Sequence, residues 1–156
     1  MIVHTLETIV REQAFFRGMK EPHIELISGC ATNVRFAEEQ FIAREGEPAE
    51  HFYLVREGLV SVQCTVPHRG VITISTVGDG EILGWSWLFP PHRWQFDVRT
   101  RRPTHALQFD GKCLREKCEQ DHDFGYELFH RFMFIAGERL EATRMQLLDM
   151  YANHNH

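Results

Sequence analysis

Apolar residues recur at helical spacing early in the chain, cluster in short runs through its middle, and return to helical spacing at its end. Leu6, Ile9, Val10, Ala14 and Phe16 set the first helical run, and Gly18 closes it. A second helix is predicted from Glu21-Pro22, where proline suits the first turn, through Ile24, Leu26 and Ile27 to about Gly29. From Val34 to Phe109 short β-rich runs alternate with Gly, Pro and acidic turns. Strands are predicted near Asn33–Phe36, Gln40–Ala43, His51–Arg56, Leu59–Thr65, Val71–Thr76, Glu81–Leu83, Trp94–Arg99 and His105–Phe109. Many short strands at regular spacing imply a sandwich or barrel, without fixing the strand order.

After Asp110 the texture is helical again. Asp110 is placed to cap a short helix to about Gln120, and Asp121 or Asp123 to cap a long one to about Tyr151. In the long helix Phe129, Met133, Ala136, Leu140, Thr143, Leu147 and Met150 form a heptad-like seam with one polar member. Its first half carries a second apolar stripe, Phe124, Leu128, Phe132 and Ile135. Such a helix packs on its own domain first and then projects toward a partner; the plainer alternative is an ordinary buried terminal helix.

The chain of 156 residues suits one domain, divided as 1–30 (helices), 31–109 (β) and 110–156 (helices). At this length no disulfide or metal staple is needed for folding. The net charge of -5 argues against a general polyanion binder. The four cysteines, Cys30, Cys64, Cys113 and Cys118, form no CxxC pair, and reduced thiols in a cytoplasm are the expectation. The amino terminus, Met-Ile-Val-His-Thr-Leu-Glu, does not read as a signal peptide. No apolar run approaches the ~20 residues of a membrane span. A soluble cytoplasmic protein is therefore expected, with no membrane partner.

The run Arg44-Glu45-Gly46-Glu47-Pro48-Ala49-Glu50-His51-Phe52-Tyr53-Leu54-Val55-Arg56-Glu57-Gly58-Leu59-Val60-Ser61-Val62 resembles the β-roll of cyclic nucleotide-binding domains, the effector domain of Crp/Fnr-type regulators. Gly46 and Gly58 fall where its tight turns need positive φ. Phe15-Phe16-Arg17-Gly18-Met19 resembles the family's first helical segment, and Gly78-Asp79-Gly80-Glu81-Ile82-Leu83-Gly84 the approach to its phosphate-binding cassette. The last helix resembles the helix that lids the ligand and often forms the dimer seam. The resemblance implies a mainly β fold with flanking helices: an antiparallel β-roll, a double-stranded cupin-like jelly-roll, with N-terminal helices and a long C-terminal helix. It also implies a ligand-sensing regulatory role and a homodimer through that helix.

In the family the cassette presents backbone N–H groups of a short helix to the cyclic phosphate, an anion cradle favoured by the helix dipole. A glutamate after the glycine holds the ribose, and a later arginine neutralises the phosphate. Here Gly84 matches the glycine, Trp85 stands at the glutamate position and Trp94 at the arginine position, with Arg93 one residue early. On a strand that shift reverses the side chain. Trp94, Phe96 and Val98 are predicted inward, and Arg93, Gln95, Asp97 and Arg99 outward. Charge-assisted hydrogen bonds contribute ~1.5–3 kcal/mol each. Losing both lowers affinity roughly a hundredfold to several ten-thousandfold, so weak or lost cAMP and cGMP binding is expected.

Two readings of the aromatic segment compete. Trp85, Trp87, Phe89, Trp94 and Phe96 line a remodelled pocket for a more apolar small ligand, with Ser86 and backbone N–H as polar groups. Alternatively they fill the roll, and the module serves purely for protein interaction. Arg139 and Thr143 of the last helix are the candidate lid contacts, chosen by distance along the chain. The candidate ligand residues are therefore Gly84, Trp85, Ser86, Trp87, Trp94, Arg139 and Thr143.

A cupin-like metal-dependent enzyme is the rival from another class. It needs a His-x-His pair on a strand, whereas the motif occurs at His154-Asn155-His156. Asp121-His122-Asp123 and Cys113, Cys118 and His122 are conceivable ligands, but a solvated helix junction is the default. Arg99, Arg101 and Arg102 read as a solvated strand end. No nucleophile–base constellation or phosphate loop is evident, so no enzyme activity and no certain cofactor are expected. The chain stops soon after the long helix, so no DNA-binding helix-turn-helix and no nucleic-acid partner are expected.

Overall fold

The computed structural model describes residues 5–154. The signal-peptide reading rests partly on residues 1–4, and the His-x-His motif runs past residue 154; both extend outside the described residues.

Two helices open the chain, α1 (Leu6–Glu12) and α2 (Glu21–Ser28), the second with Pro22 in its first turn. Eight strands follow: β1 (Ala31–Phe36), β2 (Phe41–Ala43), β3 (His51–Glu57), β4 (Val60–Val66), β5 (Gly70–Val77), β6 (Ile82–Leu83), β7 (Asp97–Thr100) and β8 (Thr104–Asp110). They pair antiparallel in two four-stranded sheets, ordered β1-β8-β3-β6 and β2-β7-β4-β5. Helices α3 (Gly111–Gln120) and α4 (His122–His154) close the fold. Asp110 and Asp121 cap them, each carboxylate accepting a backbone N–H, from Cys113 and Phe124, at 3.1 Å.

The architecture is the expected β-roll with flanking helices. Gly46 and Gly58 adopt φ of +87° and +146°. Two predicted elements differ. The first helix breaks at Gln13, whose backbone turns extended before a short 3-10 turn at Ala14–Phe16. The strand expected over Trp94–Arg99 begins at Asp97, because residues 95–96 bend. Strict alternation therefore does not extend through Phe96, which is exposed rather than inward.

Strand β3 separates two cores. Phe52 and Leu54 face the helices and pack with Ile24, Leu114, Phe124, Leu128 and Phe132. Tyr53 and Val55 face the interior of the roll with Val60, Leu83, Trp94, Val98 and Ala106. Being buried on both faces, the strand reads as a continuous apolar run.

The cysteine expectation is corrected. Cys30 and Cys113, 83 residues apart, are joined by a disulfide with Cα atoms 6.0 Å apart. Pairing of Ala31 with Phe109 brings the two chain segments together, a contact that spacing along the sequence does not reveal. Cys64 and Cys118 are free thiols. No described helix is long and apolar enough to cross a membrane.

Candidate functional site

Gly84 follows β6 with φ +92°, a conformation that favours glycine. A Cβ there would also lie 2.7 Å from the Trp94 indole. Trp94 is held by two backbone hydrogen bonds of 2.9 Å: its N–H donates to the Glu47 carbonyl, and its carbonyl accepts from the Gly46 N–H. This pairing aims the indole into the roll, where it is 9% exposed and its ring centroid lies 6.5 Å from that of Tyr53. Burial pushes the Tyr53 phenol up to about 12. Arg93 points the other way, exposed, donating from Nη1 to the Gly46 carbonyl at 2.7 Å. Trp94 inward and Arg93 outward is the predicted arrangement. The volume above Gly84 thus holds an indole.

Trp85 is half-buried at the start of a short 3-10 turn, Ser86–Leu88. Across it lies Arg139 of α4, its guanidinium carbon 5.0 Å from the ring centroid. Arg139 Nη2 also donates to the Ile82 carbonyl. Burial lowers the Arg139 pKa, while the nearby Glu81 and Glu138 act in the opposite direction. One side chain therefore latches α4 to both β6 and the cassette. Thr143 does not join it: its hydroxyl donates to the Arg139 carbonyl at 2.8 Å, and the residue is exposed.

The five aromatic residues do not line one pocket. Trp87 lies on the helix side, stacked on Phe52 at 5.3 Å and meeting Phe132 edge-on at 5.5 Å. Its Nε1 has no hydrogen-bond partner among the described residues, while its carbonyl accepts from Arg115 Nη1 of α3. Ser86 is buried beside it. Trp85 and Phe89 instead reach the rim. With Leu88 they form one wall of a notch of about 360 Å³, faced from α4 by Phe129, Met133 and Ala136.

The remaining signals resolve simply. Arg99 Nε and Arg101 Nη1 lie 3.3 and 3.5 Å from Glu39, and Arg101 Nε donates to Ser61 at 2.7 Å. Among the described residues no three His, Cys, Asp or Glu side chains gather as metal ligands. Cys113, one of the conceivable ligands, is bonded to Cys30. Sequence reasoning missed Arg115, Tyr53 and the disulfide, each of which acts through a partner distant in the chain.

The family model for the cyclic nucleotide-binding domain matches residues 33–121. The chain belongs to the cyclic nucleotide-binding domain family. It is 20% identical over 145 residues to the CRP-like cAMP-activated global transcriptional regulator of Mycobacterium tuberculosis, a match covering 93% of this chain and 63% of the relative. The chain thus spans under two thirds of that relative's length. A putative cyclic nucleotide-binding protein from Geobacter metallireducens GS-15 superposes with a TM-score of 0.77 at 24% identity, covering 90% of this chain and 99% of that one. A cyclic nucleotide-binding domain from Methylobacillus flagellatus KT gives 0.79 at 18% identity, covering 94% and 82%. These structural likenesses establish the fold.

Proposed function

We propose that this domain is a regulatory module whose ordinary cyclic-nucleotide site is closed, and which acts through the position and partner of α4. The observation carrying this reading is the Trp94 indole packed on Gly84, where the family's phosphate arginine and its ligand would meet. Trp85 in place of the ribose glutamate supports it, since indole offers a donor and no acceptor. No catalytic step is assigned.

From Leu140 to Asn153 every residue of α4 is exposed, including Leu140, Leu147 and Met150 of the apolar seam. This argues for a second copy of the chain as the partner, because an apolar face without partners is unfavourable in water. A second reading of the ligand is favoured by the notch beside Trp85: a small apolar molecule there would touch both the cassette and α4. It would shift α4 only insofar as it binds one helix position more tightly than the other.

Isothermal titration calorimetry tests the closed site. The expected result is no micromolar binding of cAMP or cGMP by the native chain. Trp85→Glu/Trp94→Arg, which returns both ligand groups, is expected to raise cAMP affinity roughly a hundredfold or more. Micromolar binding by the native protein would overturn the reading. Titration with flat aromatic or acyl compounds tests the notch by the same method.

A further inference from the structure

The Cys30–Cys113 bond lies where β1 and α3 begin, with Cys30 buried in the helix-side core and Cys113 packed against it. Cys30 directly precedes β1, and Cys113 sits in the first turn of α3. The Asp110 N–H donates to the Cys30 carbonyl at 2.9 Å, and Lys117 Nζ to the Leu26 carbonyl at 2.7 Å. Neither contact involves a sulfur atom, and a chain of this length has core enough to fold without a staple.

Helix α3 itself has a thin apolar grip. Leu114 and Cys118 are its buried side chains, while Cys113 is only partly buried and is the more accessible half of the bond, Cys30 being 6% exposed. What α3 touches matters more. Arg115 holds the Trp87 carbonyl, and a Cβ on Gly111 would lie 2.9 Å from the Trp87 side chain. Farther along, Cys118 abuts Gly125 of α4, where an added Cβ would meet its Cβ at 3.3 Å. The element fastened by the disulfide thus contacts both the cassette turn and the base of α4.

We propose that Cys30–Cys113 is a redox modification site, a clasp whose reduction by a cellular dithiol or glutathione loosens α3 and thereby the cassette turn and α4. A thiolate of the reductant attacks the Cys113 sulfur. The S–S bond breaks, and its electron pair leaves on the Cys30 sulfur, which takes a proton. The second thiol of the reductant resolves the mixed disulfide: it leaves as the oxidised reagent, and Cys113 as a thiol. Two electrons and two protons are transferred to the protein. The clasp stands independently of the ligand reading; only its consequence for signalling through α4 rests on it.

The full chain, purified in air, is denatured and labelled with maleimide. Two labels are expected without reductant and four after dithiothreitol, with a Cys30–Cys113 cross-linked peptide in the unreduced digest. Equilibration against glutathione buffers of varied ratio is expected to give half-reduction within their range. In the native protein, reduction is expected to speed amide exchange over 86–88, 111–120 and 122–139. The increase should be on the order of tenfold or more, the scale of a native disulfide's effect on an opening equilibrium. Cys30→Ser and Cys113→Ser should each reproduce the reduced pattern, and Cys64→Ser should not. Four labels without reductant would show that the clasp does not form. A bond resistant to every glutathione buffer, or faster exchange confined to residues 30 and 113, would make it an inert staple; each result overturns the proposal. None of these readouts depends on whether cAMP binds.

Discussion

Trp94 and Tyr53 show how single residues set the interior of the roll. An indole occupies the space over Gly84, and a phenol lies beside it, 6% exposed. Tyr53 leads to a pH prediction. Its neutral form is favoured by burial, with the pKa pushed from the ordinary 10 up to about 12. An acid whose folded pKa is raised stabilises the fold while protonated. That contribution is fully present below pH 10 and is lost as the pH rises through about 12. The size is about 2–3 kcal/mol. Urea unfolding of the native chain and Tyr53→Phe at pH 8 and pH 11 measures the part lost by pH 11, about half of it. The stability lost between the two pH values should be smaller in the variant; equal losses would mean that Tyr53 does not titrate abnormally.

Among the elements, α4 has a divided character that sequence periodicity anticipates. Phe124, Leu128 and Phe132 are buried against the helix-side core, whereas Phe129, Met133 and Leu140 are exposed. The plainer alternative of a wholly buried terminal helix is therefore set aside. The exposed end exceeds three turns, and an isolated helix of that length is marginal in water. Association of two copies through the seam is the partner arrangement we propose. Light scattering after gel filtration is expected to give twice the chain mass of 18.3 kDa, and Leu140→Glu/Leu147→Glu to give 18.3 kDa. Both residues are exposed, so the β-roll should keep its fold. A native monomer would rule out the seam as a self-association surface.

For the whole molecule, β3 couples the two cores because alternate residues serve each. Trp87 reports on one side of the sheet and Trp94 on the other. Trp87→Ala should destabilise by about 3–5 kcal/mol, as truncation of a buried aromatic typically does. Fluorescence and circular dichroism should still trace a single coincident transition. Separate transitions would mean that the cores unfold independently. By itself the sequence determined the β-roll, the two capped closing helices and the two-sided α4, all of which follow from local periodicity, turn residues and a motif in one continuous run. Tertiary structure alone decided that the aromatic cassette splits between two cores and a rim, that Arg139 reaches Trp85 while Thr143 does not, and that Cys30 meets Cys113. Those outcomes depend on strand pairing and helix docking between distant segments, and no local pattern along a chain encodes which surfaces will meet.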